Sequence, residues 1–211
     1  MTTARQHLLD MLAEKSFRIG EFKLSSGGSS DYYIDCRKTT LDGEGARLTG
    51  RVVLDTIRGY GWNPHAIGGM TLGADPIVVA AALLSAQQMQ IRSTPEQPDL
   101  PAWRINGFVV RKAEKTHGTA QRIEGFCERG ASVVIVDDVC TTGASTIGAI
   151  EAARQAEMKV IGVLCLVERE EAGGRVKVEH AAGSAPFVAI FRASEVRAEH
   201  ERQLQKHAAR L

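Results

Sequence analysis

Very little of this 211-residue chain is aromatic, only 5%, and no apolar run approaches the length of a membrane span. The longest, residues 77–84, is well under half of the roughly 20 residues that a helix needs to cross a bilayer. The first fifteen residues hold no apolar core of the signal-peptide kind. Cysteine is sparse: Cys36, Cys127, Cys140 and Cys165 lie far apart, with no C-x-x-C and no neighbouring His pairs. That pattern suggests neither a zinc site nor a disulfide framework, and it fits a reducing cytoplasm. A charge excess is missing too, since 26 Lys plus Arg against 25 Asp plus Glu leave +1. Such a balance excludes a protein held on nucleic acid by bulk electrostatics. What is present is 44% hydrophobic residues, too many for a disordered chain, in a length that suits one domain with a sizeable core.

The hydrophobic pattern switches between helical and extended segments. Residues 3–16 set Leu8, Leu9 and Leu12 at helical spacing among polar neighbours, which predicts an amphipathic helix. The turn-rich passage FKLSSGGSSDYYIDCRK follows, with Tyr33 and Ile34 as a short strand after a Gly/Ser loop. Residues 46–58 return to helical spacing through Leu48, Val52 and Ile57. Ala66 and Ile67 read as a strand that ends in a loop at Gly68 and Gly69. An alanine-rich apolar helix is expected over residues 75–90, with Pro76 suited to its first turn. Between 91 and 106, Pro95, Pro98 and Pro101 break any periodicity, so an inserted loop or hairpin is expected. Residues 108–110 read as a strand leading into the charged segment RKAEKTHGTAQRIEG. The unbroken apolar run 132–136 has the character of a strand buried on both faces of a parallel sheet. A helix over 145–155, strands over 160–167 and 186–191, and a polar helix over 194–211 complete the pattern. With no repeat and no linker, the fold class is α/β: a mainly parallel central sheet flanked by helices.

The sharpest local feature is VVIVDDVCTTGAS, residues 133–145. An apolar strand ends in two carboxylates, Asp137 and Asp138, and a loop with hydroxyls and a glycine leads into a helix. Ligands of open α/β sheets bind at the carboxyl ends of strands. Backbone N–H groups, the hydroxyls of Thr141, Thr142 and Ser145, and a helix N-terminus would together receive a phosphate dianion. Gly143 would let the backbone approach closely. The aspartates would repel that phosphate, so they suit sugar hydroxyls or a divalent cation. A capping Asp and a turn Gly in an ordinary βα connection is the plainer alternative. A P-loop is excluded, because Ala74 and Asp75 follow Gly73 where lysine and a hydroxyl residue are required.

VVIVDDVCTTGAS resembles the phosphoribosyl pyrophosphate (PRPP) signature of type I phosphoribosyltransferases. Three further segments resemble those of the orotate phosphoribosyltransferase family: FKLSSGGSSDYYID its base-site segment, VVRKAEKTHG its mobile catalytic loop, and LVERE the strand end with its base-binding arginine. The resemblance implies a single phosphoribosyltransferase domain over 1–211, with an N-terminal hood at about 1–40 and a C-terminal strand contributing to the base site. It implies transfer of ribosyl 5-phosphate from PRPP to orotate, giving orotidine 5′-monophosphate and pyrophosphate in de novo pyrimidine biosynthesis.

The same resemblance assigns residues. Lys115 is similar to the catalytic lysine, with Arg111, Lys112 and His117 as phosphate ligands and Arg111 and His117 also counted as catalytic. PRPP would meet Asp137, Asp138, Val139, Cys140, Thr141, Thr142, Gly143, Ala144 and Ser145, together with Thr71 and Leu72 of the pyrophosphate loop spanning Gly68 to Gly73. Orotate would meet Thr141, Arg169, Tyr32 and Tyr33. Magnesium would be the cofactor, held mainly by PRPP, with Asp137 or Asp138 reaching it through water. A homodimer with shared active sites, cytoplasmic and without nucleic-acid or membrane partners, is the expected assembly. From the residues alone, 111–117 also reads as a solvated charge run, Arg169 as a surface ion-pair residue, and Gly68–Gly73 as a plain tight connection. Two alternatives in function are a non-catalytic PRPP-sensing regulator and a phosphoribosyltransferase for another base. Ser25 departs from the family, many of whose members have a PRPP-contacting lysine there. The proline-containing stretch 91–106 is longer than usual. A fused decarboxylase domain is not expected within these residues.

Overall fold

The computed structural model describes residues 3–23, 29–92, 104–112 and 122–209. Lys115, His117, Ser25, Leu211 and the prolines of the 91–106 stretch lie outside the described residues. Helix α1 (Ala4–Met11) starts where the Thr3 hydroxyl accepts the Gln6 N–H at 3.2 Å, and it buries Leu8 and Leu9. It runs on as a π-helical stretch, Leu12–Ser16, into β1 (Phe17–Lys23), which pairs antiparallel with β2 (Ser29–Ile34). This hairpin is the hood. Its first strand is absent from the sequence reading for a physical reason: only Phe17 is fully buried, so no alternation marks it.

A short helix α2 (Arg37–Thr40) and α3 (Gly43–Gly59) follow, the latter capped by Asp42, whose Oδ1 accepts the Glu44 and Gly45 N–H groups at 3.0 Å. Then come β3 (Ala66–Met70), α4 (Asp75–Arg92), β4 (Asn106–Val110), β5 (Ile123–Gly125), β6 (Ser132–Cys140) and α5 (Ala144–Gln155). β7 (Lys159–Glu168), a 3-10 turn at Glu170–Ala172, α6 (Gly174–Ala182), β8 (Phe187–Arg192) and α7 (Ala193–Ala208) end the fold. The six-stranded sheet has the order β5-β4-β3-β6-β7-β8 and is parallel except for β5. Strand β6 sits inside it and sends alternate residues to opposite layers. Val134 and Val136 join Leu54, Ile57, Leu164 and Phe191 beneath α1, α3 and α7, while Val133 and Ile135 join Phe108, Ile150 and Val178 beneath α5 and α6. Each such side chain, fully buried, contributes about 1.5–3 kcal/mol.

Two expectations need correction. Gly68 and Gly69 lie inside the buried strand β3, not in a loop after it. A Cβ on Gly68 would stand 2.4 Å from the Phe108 ring, and one on Gly69 would stand 1.9 Å from the Val136 carbonyl oxygen. They are glycines because neighbouring groups press on the strand. Helix α6 was also unforeseen: it opens on glycine and buries only Gly174, Val178 and Ala182, a stripe too thin to read. The hood is tied to the far end of the chain. Arg197 of α7 donates to Asp31 at 2.7 Å, and His200 Nδ1 lies 2.7 Å from the Ala13 carbonyl oxygen.

Candidate active site

A cavity of about 940 Å³ opens at the carboxyl ends of β3, β6 and β7, with the hood as its other wall. Thr71, Leu72 and Gly73 line it from the β3–α4 connection, and Asp137, Asp138, Val139, Thr141, Thr142 and Ser145 line it from β6 and the loop beyond. Strand β6 continues past the aspartates to Cys140, so the loop proper is Thr141–Gly143. Gly143 has φ +80° and its carbonyl accepts the Ile147 N–H at 2.8 Å, which starts α5 with its first turn facing the cavity. The hydroxyls of Thr141, Thr142 and Ser145 stand beside that helix N-terminus, a suitable receiver for a phosphate.

The two carboxylates differ. Asp137 is 5% exposed, accepts the Thr146 hydroxyl at 2.5 Å through Oδ2 and the Asp138 N–H at 3.0 Å through Oδ1. Burial raises its pKa, the neighbouring Asp138 charge adds to the rise, and the Thr146 hydrogen bond opposes it. Asp138 is more open, with Oδ1 accepting the Val139 N–H at 2.9 Å, and burial raises its pKa as well. Among the described residues no group of three or more His, Cys, Asp or Glu could hold a metal by itself. Two carboxylates facing a cavity are hard-oxygen donors that would complete magnesium's shell only with ligand oxygens and water.

Most of the predicted phosphate residues meet here, with exceptions. Cys140 is 1% exposed and packs in the core, where burial pushes its thiol up to about 11; its carbonyl accepts the Arg169 N–H at 2.9 Å. It shapes the wall and offers no side chain to a ligand. Ala144 opens α5, and Gly143 is buried against Val178, so neither is among the lining residues. Lys112 lines the cavity, but Arg111 turns to Glu124 at 3.4 Å on β5.

A smaller cavity of about 340 Å³ adjoins the first through Thr141, Thr142 and Arg169, with Ser29, Ser30, Tyr32 and Glu171 on its other sides. Arg169 is not the surface residue that its acidic neighbours suggest: it is 7% exposed. Its guanidinium lies 4.4 Å over the Tyr32 ring, which stacks on Phe17 at 5.3 Å. Nε donates to the Tyr32 hydroxyl at 3.1 Å and to Glu171 at 3.0 Å, and Nη2 donates to Ser30 at 2.9 Å. The Tyr32 hydroxyl in turn donates to Glu171. Burial first, then that bond, pushes its pKa up to about 12. Tyr32 therefore supports the arginine and lines the smaller cavity, whereas Tyr33 lines the larger one. Ser30 and Glu171 escaped the sequence reading. Ser30 could have been found, since it is two residues from Tyr32 on one strand and shares its face.

The phosphoribosyl transferase domain family matches residues 88–182. Over 183 residues the chain is 42% identical to an orotate phosphoribosyltransferase of Streptomyces avermitilis, covering 87% of this chain and 92% of that protein. The crystal structure of the Mycobacterium tuberculosis H37Rv orotate phosphoribosyltransferase with Fe(III) dicitrate aligns with a TM-score of 0.72 and 31% identity, over 92% of this chain and 99% of that one. The same organism's enzyme in complex with PRPP aligns with a TM-score of 0.66 and 25% identity, over 93% of each chain.

Proposed function

The chain belongs to the orotate phosphoribosyltransferase family, and from this premise we propose how its residues transfer ribosyl 5-phosphate from PRPP to orotate. One observation carries the reading: an anion-receiving loop beside two carboxylates and a buried guanidinium share the walls of adjoining cavities. Thr141, Thr142, Ser145 and the start of α5 receive the 5-phosphate. Asp138, with Asp137 behind it, accepts hydrogen bonds from the ribose hydroxyls. Thr71 and Leu72 hold the pyrophosphate end against the β3–α4 connection. Arg169 pairs with the orotate carboxylate, which turns N1 toward the sugar, while Thr141 and Tyr33 flank the base.

The bond from C1 of the ribose to the pyrophosphate oxygen breaks as the bond from N1 of orotate forms; pyrophosphate leaves with the electron pair of the broken bond, and the proton carried by N1 passes to the departing pyrophosphate or to water. No side-chain nucleophile is required, so positioning and electrostatics carry the rate. Lys112, with Arg111, Lys115 and His117 of the same basic run, neutralises charge developing on the leaving group. Magnesium, when bound, offsets further negative charge on the pyrophosphate, and Asp137 or Asp138 would reach it through water. The working unit is a homodimer in the cytoplasm, in which Lys112 faces its own subunit's cavity and the rest of the basic segment serves the partner's site.

The test supplies PRPP and magnesium with a panel of bases and follows pyrophosphate release. Orotate should be consumed, and Arg169→Ala should lower kcat/KM for orotate roughly 10- to 150-fold, as for loss of charge-assisted hydrogen bonds, while KM for PRPP changes far less. Equal losses for both substrates would move the base site elsewhere.

A further inference from the structure

A guanidinium offers a carboxylate two edges, Nε with Nη2 and Nη1 with Nη2, and both run through Nη2. In Arg169 that nitrogen is already committed. Ser30 Oγ accepts from it at 2.9 Å, and Glu171 Oε1 lies 2.9 Å from it. The same Glu171 oxygen accepts from Nε at 3.0 Å and from the Tyr32 hydroxyl. Because Nη2 has only two hydrogens, a second carboxylate gains a two-point pairing only when one resident partner lets go.

Ser30 is the poorer candidate to leave. It sits within β2 and also donates to the Tyr32 carbonyl at 2.8 Å. Glu171 is the better one on three grounds. It carries the same chemical group as the substrate's own carboxylate. It belongs to the one-turn Glu170–Ala172 segment, outside the sheet. Its side chain is 53% exposed where that of Arg169 is 7%, so it can swing to water at small cost. Burial alone would raise the Glu171 pKa, but hydrogen bonds from Tyr32 and Arg169 outweigh it and keep the group below its ordinary value, ionised at neutral pH.

Resting on Arg169 as the partner of the orotate carboxylate, we propose that Glu171 is a resident occupant of that carboxylate subsite, which orotate must displace. Glu171 thereby sets how tightly the subsite holds a carboxylate. A base lacking a carboxylate, such as uracil, has nothing to exchange and meets an arginine that is already neutralised. A carboxylate-bearing base replaces one anion by another, so the site gives up some affinity for it and in return keeps the buried guanidinium paired while no base is bound.

Glu171→Gln and Glu171→Ala in the full chain test this through equilibrium binding of orotate, uracil and PRPP. In both variants the orotate dissociation constant should fall about three- to fivefold, the upper part of the range for a partly exposed ion pair, with uracil and PRPP unchanged. A gain in affinity confined to one ligand is not what a loosened fold produces. Weaker orotate binding in both variants would make Glu171 a strut for Arg169 and overturn the exchange, as would unchanged orotate binding. Arg169→Ala, measured alongside, separates the two levels. Unchanged orotate affinity there removes the base-site reading itself, whereas a loss there without a gain in the Glu171 variants removes only the exchange.

Discussion

Replacing Gly73 with alanine probes the sugar side of the cavity with one methyl group. The new Cβ would stand 2.2 Å from Asp138 Oδ1 and 2.6 Å from its Cγ. Ordinary contact begins near 3.4 Å, so the carboxylate must retreat by about 1 Å. Stability should hardly register the change. The retreat endangers the 2.9 Å bond from the Val139 N–H, a loss of about 0.5–1.5 kcal/mol. Gly73 is not among the residues with positive φ, so alanine fits the backbone and recovers about 0.4–1 kcal/mol from the unfolded chain. The two nearly offset. Activity should not escape: a charge-assisted hydrogen bond to the ribose is about 1.5–3 kcal/mol, so kcat/KM for PRPP should fall roughly 10- to 150-fold. Urea unfolding and steady-state kinetics on the same preparation read both quantities, with KM for orotate expected to move little. Gly43→Ala is the control, since nothing lies within 4 Å of its added Cβ. Undiminished kcat/KM for PRPP in Gly73→Ala would refute the assignment of Asp138 to the sugar. A collapsed urea midpoint would show that the β3–α4 connection matters for packing instead.

Asp137 is raised from 3.8 to about 7, so between those values the folded state binds more protons than the unfolded one and stability falls as pH rises. Asp137→Asn, whose Oδ1 can keep the Asp138 N–H while its amide donates to the Thr146 hydroxyl, should flatten the decline of the urea midpoint between about pH 4 and pH 7; identical slopes in the two proteins would exclude Asp137 as its source. Lys115→Ala should lower turnover by about 10²- to 10³-fold, as expected for loss of a group that stabilises developing charge, and leave the urea midpoint in place. Near-normal turnover would sink the assignment of residues 111–117 to the reaction.

The phosphate half of the site was legible because its determinants are contiguous. An apolar run, two acids, hydroxyls, Gly143 and a helix start follow one another in the order in which β6, the loop and α5 use them. The base half was legible only through family resemblance, because its logic is spread across the chain. In the run Glu168, Arg169, Glu170, Glu171, each acid has a different tertiary partner. Glu168 pairs with Arg175, Glu170 accepts the Ala193 N–H and the Ser194 hydroxyl, and Glu171 accepts the Tyr32 hydroxyl. No local rule sorts them. Gly68 and Gly69 misled for a related reason: the sequence reads a glycine pair as a turn, and only the packed structure reveals Phe108 and the Val136 carbonyl crowding the strand. The helical segments were found where an apolar stripe was wide, as in α3, and missed where it was thin, as in α6.

The two halves also differ in when they can come into being. Asp137 and Thr146 are separated by nine residues, whereas Ser30 reaches Arg169 across 139 and Asp31 reaches Arg197 across 166. Closing a long loop costs more chain entropy than closing a short one, and a chain made from its N-terminus cannot use α7 until last. The loop and carboxylates for the ribose phosphate are thus a local product of β6 and α5. The pocket that tells one base from another must wait for the final helix to anchor the hood. Base selectivity thus rests on long-range contacts, whereas the carboxylates and loop for the ribose phosphate rest on local ones.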